Sequence, residues 1–200
     1  MAKTVDYYFA PHSPWSYLGH ERFVALANEQ GAQVVLKPFD LGKVMSVSGG
    51  VPLAKRAPQR QAYRMQELAR WAAHLGMPLN LQPKFFPVPP DLAAKVILAT
   101  RTGPGIDAAL KLAGAIMRGL WAEDKNISDE TALEQIANSC GLDGAMLVKA
   151  AATPGVQAEY ERNTDDAMAA SVFGAPWYVV DSEGFWGQDR LDFVGRALAK

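Results

Sequence analysis

Apolar and polar positions divide the chain into three stretches of different period. Residues Thr4 to Phe9 are mostly β-branched or aromatic, which suits a buried strand. Tyr17, Leu18, Phe23, Leu26 and Ala27 then recur at helical spacing to about Asn28. Ser13 is a good N-cap for that helix, Pro14 a good first residue, and Gly31 ends it. Gln33 to Pro38 predicts a second strand, and the β-α-β order favours parallel pairing with a right-handed crossover. From Leu41 to Pro58, with Gly49-Gly50 and Pro52, the chain reads as loop.

The middle of the chain is helical in period. Helices are predicted from Pro58 to about Leu75, from a cap at Asp91 to near Arg101, and from Ile106 to Ala122. Others run from a cap at Ser128 to Cys140, over a short stretch from Asp143 to Ala151, and from Pro154 to about Ala170. Four prolines make residues 80–90 irregular. Strand patterning returns only at Trp177 to Val180 and Glu183 to Trp186, which flank Asp181-Ser182 as a hairpin. Leu191 to Ala199 closes the chain as a helix. The sum is an α/β chain: a thioredoxin-like βαβ…ββα sheet interrupted by a large helical insertion. Residues 1–42 and 171–200 would form a discontinuous thioredoxin-like domain, and 43–170 the inserted helical one.

Composition narrows the function classes. Two hundred residues, 49% of them apolar, can bury a normal core, and the net charge of −1 with no basic stripe argues against a nucleic-acid partner. No window approaches the ~20 apolar residues of a membrane span, and the first residues lack the apolar run of a secretion signal. The single cysteine, Cys140, cannot form an intramolecular disulfide. These features predict a cytoplasmic protein. His12, His20 and His74 have no metal-ligand spacing, so no metal is expected.

The chemistry concentrates at Ser13-Pro14-Trp15-Ser16, between the first strand and the first helix. A redox-active thioredoxin-type loop has this layout, with a cysteine where each serine stands here. Serine cannot exchange disulfides. It can donate a hydrogen bond to a thiolate brought by a ligand, which points to glutathione. The plainer alternative is an ordinary N-cap. The helix N-terminus offers roughly 0.3–1 kcal/mol to an anion, and one pKa unit is about 1.4 kcal/mol. A hydrogen bond to a charged group adds about 1.5–3 kcal/mol. Together they would bring a thiol from about 8.5 to roughly 6–7, with the hydroxyl as the decisive part.

Two more segments join it. Gly174-Ala175-Pro176-Trp177 places a proline before an apolar strand, where a cis bond would expose the Ala175 backbone to an extended peptide. A plain loop proline is the alternative. Gln188 and Asp189 open the last helix, where Asp189 is either a cap or a partner for a ligand ammonium. His12 reads as a loop residue that can tune Ser13, and Cys140 as a packing residue.

The order and spacing of S-P-W-S-Y, of P-x-R-x-x-Y-x-x-x-E-L-x-R-W from Pro58 to Trp71, of F-F-P at Phe85, G-A-P at Gly174 and G-x-D-R at Gly187 resemble the 2-hydroxychromene-2-carboxylate isomerases. These are bacterial relatives of kappa-class glutathione transferases in the DsbA-like thioredoxin superfamily. The resemblance spans essentially the whole chain. It implies that Ser13 holds the glutathione sulfur, that Ala175 beside Pro176 pairs with the cysteinyl backbone, and that Gln188 and Asp189 take the γ-glutamyl end. Arg60 stands where the family usually has a lysine and keeps the charge for a glycyl carboxylate. The family often has an asparagine near Gly50; this chain has none. Trp15, Tyr17, Phe86 and Trp121 would line a pocket for an aromatic acid, with core packing as their alternative. The implied protein is a homodimer acting on a small aromatic keto acid in the breakdown of naphthalene-like aromatics. A transferase that conjugates electrophiles, and a non-catalytic peptide or glutathione binder, are the rival functions.

Overall fold

A computed structural model describes residues 2–200. β1 (Thr4–Phe9), α1 (Pro14–Glu29) and β2 (Gln33–Pro38) form the opening unit. β1 and β2 run parallel, Val5 opposite Val34 and Tyr7 opposite Leu36. The chain then passes through seven helices before returning to the sheet: α2 (Leu41–Ser48), α3 (Pro58–Leu75), α4 (Asp91–Thr102), α5 (Ile106–Glu123), α6 (Glu130–Ser139), α7 (Gly144–Ala151) and α8 (Pro154–Ala169). β3 (Trp177–Val180) pairs antiparallel with β1, Tyr178 opposite Tyr7, and β4 (Glu183–Trp186) completes the order β2-β1-β3-β4. A short 3-10 turn over Gln188–Arg190 leads into α9 (Leu191–Leu198). This is a thioredoxin fold with a helical insertion. The β3–β4 turn is of the mirror-image type that strand twist favours, because Asp181 and Ser182 both take positive φ, 48° and 68°.

Strand alternation sends the sheet's side chains two ways. Val5, Tyr7 and Phe9 join Phe23 of α1 and Tyr178 of β3 in a core that runs on without a break through Ile97 of α4, Leu112 of α5 and Leu147 of α7. Tyr7 packs at a tilt on Phe23, 4.4 Å between ring centres, and stacks on Tyr178 at 5.4 Å. Tyr8 faces the other way, into a smaller cluster with Phe39, Val44, Ala167 and Trp177.

The structure departs from the sequence pattern at four points. Leu41 to Ser48 is a helix, not loop: the Asp40 side chain accepts from the Lys43 amide at 2.9 Å, and Gly49 ends it at φ 77°. Its apolar signal is weak because only Val44 is buried. The cap of α6 is Asp129, whose side chain accepts from Ala132 N–H at 2.8 Å, while Ser128 spends its hydroxyl on Asn126. Asp91 is the first residue of α4 rather than its cap, which is Pro90. Asp189 caps nothing: its carboxylate pairs with Arg190 at 2.6 Å, and neither the 3-10 turn nor α9 has a side-chain cap. Among the described residues no helix is long and apolar enough to cross a membrane.

Candidate functional site

The carboxyl end of β1 turns at Ala10 and delivers Ser13 to the mouth of α1. Ser13 N–H donates to the Ala10 carbonyl at 2.9 Å, and Ser13 Oγ accepts from the Ser16 amide at 3.2 Å. The hydroxyl therefore does cap the helix. Its proton points to the Ala175 carbonyl, 3.4 Å away and 162 residues distant in sequence. The Ala175-Pro176 bond is cis. One residue at the helix entrance thus bridges to the proline loop, and both are nearly buried, Ser13 at 5% and Ala175 at 6% exposure.

The proline loop is in turn fixed to the end of β4. Gly187 N–H donates to the Pro176 carbonyl at 2.9 Å, from a φ of 104° that favours glycine. That holds Gln188 against α1, where Gly19 makes room: a Cβ there would stand 2.7 Å from the Cβ of Gln188. Arg22 donates to Gln188 Oε1 at 2.7 Å and leaves Gln188 only 2% exposed.

A cavity of about 540 Å³ lies between this wall and α3. It brings together Trp15, Arg60, Ala175, Gln188 and Asp189, all singled out from sequence. Ser13, Pro176, Tyr17, Phe86 and Trp121 are not in its lining; Ser13 stands behind it, donating to the carbonyl of the lining residue Ala175. Tyr17 is 4% exposed and donates from its hydroxyl to the Pro78 carbonyl at 2.7 Å; Trp121 is fully buried against Phe86. His12, next to Ser13, is half-buried, and its Nδ1 is shielded from solvent with no partner among the described residues. Burial lowers its pKa to about 4, against the opposing pull of Asp91 and Asp40. It is neutral at pH 7.

The electrostatics of the cavity are lopsided. Arg56, Arg60, Arg64 and Arg190 line it against two carboxylates, Glu67 and Asp189. Glu67 is bound to Arg70 and Asp189 to Arg190. Among the described residues Arg56, Arg60 and Arg64 have no carboxylate partner. Burial, then Arg60, lowers the pKa of Arg56; burial, then Arg56, lowers that of Arg64 to about 10. Arg56 and Arg64 stay charged at neutral pH, and with Arg60 beside them the site suits a ligand with more than one negative group. Arg22, Arg56, Arg64 and Trp186 carry no motif that marks them in the sequence; only the fold puts them here. A larger cleft of about 720 Å³ between α1, α5 and α6 contains neither Ala175 nor Gln188, and its Arg118 and Lys125 both pair with Glu123.

Fold and site together define a thioredoxin-class protein with a hydroxyl in place of the redox thiol. Residues 4–199 match the family of DsbA-like thioredoxin domains. The chain is 32% identical over 195 residues to a 2-hydroxychromene-2-carboxylate isomerase of Sphingobium xenophagum, covering 97% of each chain. It is 27% identical to glutathione S-transferase kappa 1 of Caenorhabditis elegans, covering 97% of this chain and 90% of that one. A solved structure of 2-hydroxychromene-2-carboxylate isomerase superposes with a TM-score of 0.79 at 25% identity, over 98% of this chain and 94% of the other. The chain belongs to the DsbA-like thioredoxin family and, within it, to the 2-hydroxychromene-2-carboxylate isomerases.

Proposed function

We propose that this protein is a glutathione-dependent isomerase that interconverts 2-hydroxychromene-2-carboxylate, or a closely related aromatic unsaturated keto acid, with trans-o-hydroxybenzylidenepyruvate. The observation that carries this is the buried Ser13 hydroxyl, at a helix N-terminus and 3.4 Å from the Ala175 carbonyl. The groups in the cavity fit glutathione. The tripeptide has two carboxylates, one ammonium and a thiol; the cavity offers unpaired guanidiniums and the Gln188 and Asp189 pair, and the Ser13 hydroxyl stands behind its wall, against the carbonyl of Ala175 in the lining. When bound, glutathione supplies a thiolate whose reversible addition to a conjugated C=C frees that bond to rotate.

The chain's own residues do the rest. Ser13 Oγ, already accepting from the Ser16 amide, is free to turn its proton from Ala175 to a sulfur. A 3.4 Å contact is long for a hydroxyl donor, so little is lost in the exchange. The amides at the start of α1 add their partial charge. Asp189 would leave Arg190 for the γ-glutamyl ammonium; an exposed ion pair is worth about 0–1 kcal/mol, so the swap is cheap. Gln188, held by Arg22, would take the α-carboxylate of the same group. Arg60 would take the glycyl carboxylate.

Ultraviolet titration of the bound thiol tests this. Ser13→Ala is expected to raise its pKa by about one to two units and to lower isomerase turnover in step. An unchanged thiol pKa removes Ser13 from the mechanism. The likeness to a relative named glutathione S-transferase kappa 1 supports a second reading, conjugation of electrophiles. Stoichiometry separates the two, because a transferase consumes one glutathione per turnover and an isomerase none.

A further inference from the structure

The α3 wall holds one group that the function above leaves unused. Arg64 lies one turn beyond Arg60 on the same helix, about 6 Å along its axis. Arg60 is exposed at the rim, whereas Arg64 is half-buried. The guanidinium carbon of Arg64 stands 5.5 Å from the centre of the Phe86 ring and 5.9 Å from that of Trp121. Those two rings lie 4.9 Å apart, Trp121 fully buried and Phe86 packed against the core beside it, so they hold the guanidinium in one place. Glu67, one turn on, is taken by Arg70. Arg64 thus lines the cavity as a partly desolvated cation, steadied by aromatic rings, with no carboxylate partner among the described residues. A planar fork of donors in that state is built to receive a carboxylate in two-point fashion.

Glutathione does not need it. Its charged ends are met by Arg60 at one side and by Gln188 and Asp189 at the other. Resting on that reading of the peptide site, we propose that Arg64 forks the carboxylate of the organic substrate, so that the site selects planar aromatic 2-oxo acids over neutral electrophiles of the same shape. Trp15 and Trp71, in the same lining, supply apolar faces for the aromatic ring. This assignment also bears on the reaction: a transferase for neutral electrophiles gains nothing from a cation there.

Titration calorimetry with S-methylglutathione filling the peptide site tests the proposal without turnover. The probes are benzylidenepyruvate and its methyl ester. The wild type is expected to bind the acid at least ~10-fold more tightly than the ester. Arg64→Gln should weaken the acid by about 10- to 100-fold, leave the ester within about twofold, and leave S-methylglutathione affinity unchanged. Arg64→Lys should restore part of the discrimination, since it keeps the charge and loses the fork. If Arg64→Gln perturbs folding, Arg64→Met keeps an unbranched stem on the two rings and carries the same comparison. Equal affinity for acid and ester in the wild type overturns the proposal. So does a variant in which peptide affinity falls and the acid-to-ester ratio holds, which would give Arg64 to glutathione. An Arg64-dependent ratio in a protein that isomerises nothing would sustain this assignment and sink the isomerase function.

Discussion

The two walls of the cavity are held in opposite ways. On the sheet side, Ser13, Ala175 and Gln188 are each 6% exposed or less and are tied to one another through Pro176, Gly187 and Arg22. On the other side, α3 has eighteen residues and buries one, Leu68. The first wall is fixed by backbone and core; the second presents long cationic side chains from a helix that packs lightly. The division suits the two jobs proposed for the site. Steadying a sulfur anion needs a donor held to a few tenths of an ångström, whereas choosing a ligand by charge needs guanidiniums that reach. A lightly packed helix can also change its exposed residues at little cost to stability, so ligand choice is free to vary without disturbing the proposed sulfur site.

Acid should break the sheet wall. His20 is fully buried in α1. Its Nε2–H donates to the Leu110 carbonyl at 2.8 Å, which leaves Nδ1 to accept from the Tyr7 hydroxyl at 3.2 Å. The neutral ring is therefore satisfied, and burial lowers its pKa to about 4, against the raising effect of the Leu110 carbonyl. His12 has the same depressed value for the same first cause. The unfolded chain protonates these rings near 6.5. Between pH 6.5 and 4 the unfolded state holds more protons, so stability is whole above 6.5 and falls as pH drops toward 4. Each ring contributes on the order of 3 kcal/mol to that loss. Urea unfolding at pH 7 and at pH 4.5 measures it. A midpoint that does not move over this range would show that neither histidine is buried neutral in solution.

A smaller effect is expected from Gly19→Ala. The new methyl would sit 2.7 Å from Gln188 Cβ and 3.4 Å from its Cα, so the 3-10 turn must shift rather than a side-chain tip. Overpacking of this kind costs about 1–3 kcal/mol. The shift would also move Gln188 off Arg22 and weaken glutathione binding. Loss of stability with undiminished peptide affinity would mean that Gln188 takes no part in the site.

The same contrast decides what the sequence could reveal. Ser13, the proline at 176 and the Asp181-Ser182 turn announce themselves through local chemistry: a cap before a proline, a proline before an apolar strand, two turn residues between β runs. Trp15, Arg60, Ala175, Gln188 and Asp189 were readable as candidates and do converge on one cavity. The helix over Leu41–Ser48 was hidden because its burial rests on Val44 meeting Ala167 and Val172, more than 100 residues away. At the start of α6, Ser128 and Asp129 are both good caps, and only the Asn126 contact decides between them. Tyr17, Phe86 and Trp121 fit a pocket and a core equally well by composition. Arg22 and Arg64 look like any surface arginine until the chain has folded around them.

The smallest effect should come from the α3 wall itself. Gln66 lies on the exposed face of α3 and outside the cavity lining, between the arginines and Glu67. Replacing it with alanine removes no contact that the core uses and gains a few tenths of a kcal/mol in helix propensity. The melting temperature should move by under about 2 °C, since about 1 kcal/mol is worth 2–4 °C in a chain of this size. Glutathione affinity should not change. A drop of several degrees would mean that this face of α3 is packed in solution, against a second copy or another partner. The loose wall would then be rigid in the working protein, and the contrast with the sheet side would belong to the isolated chain alone.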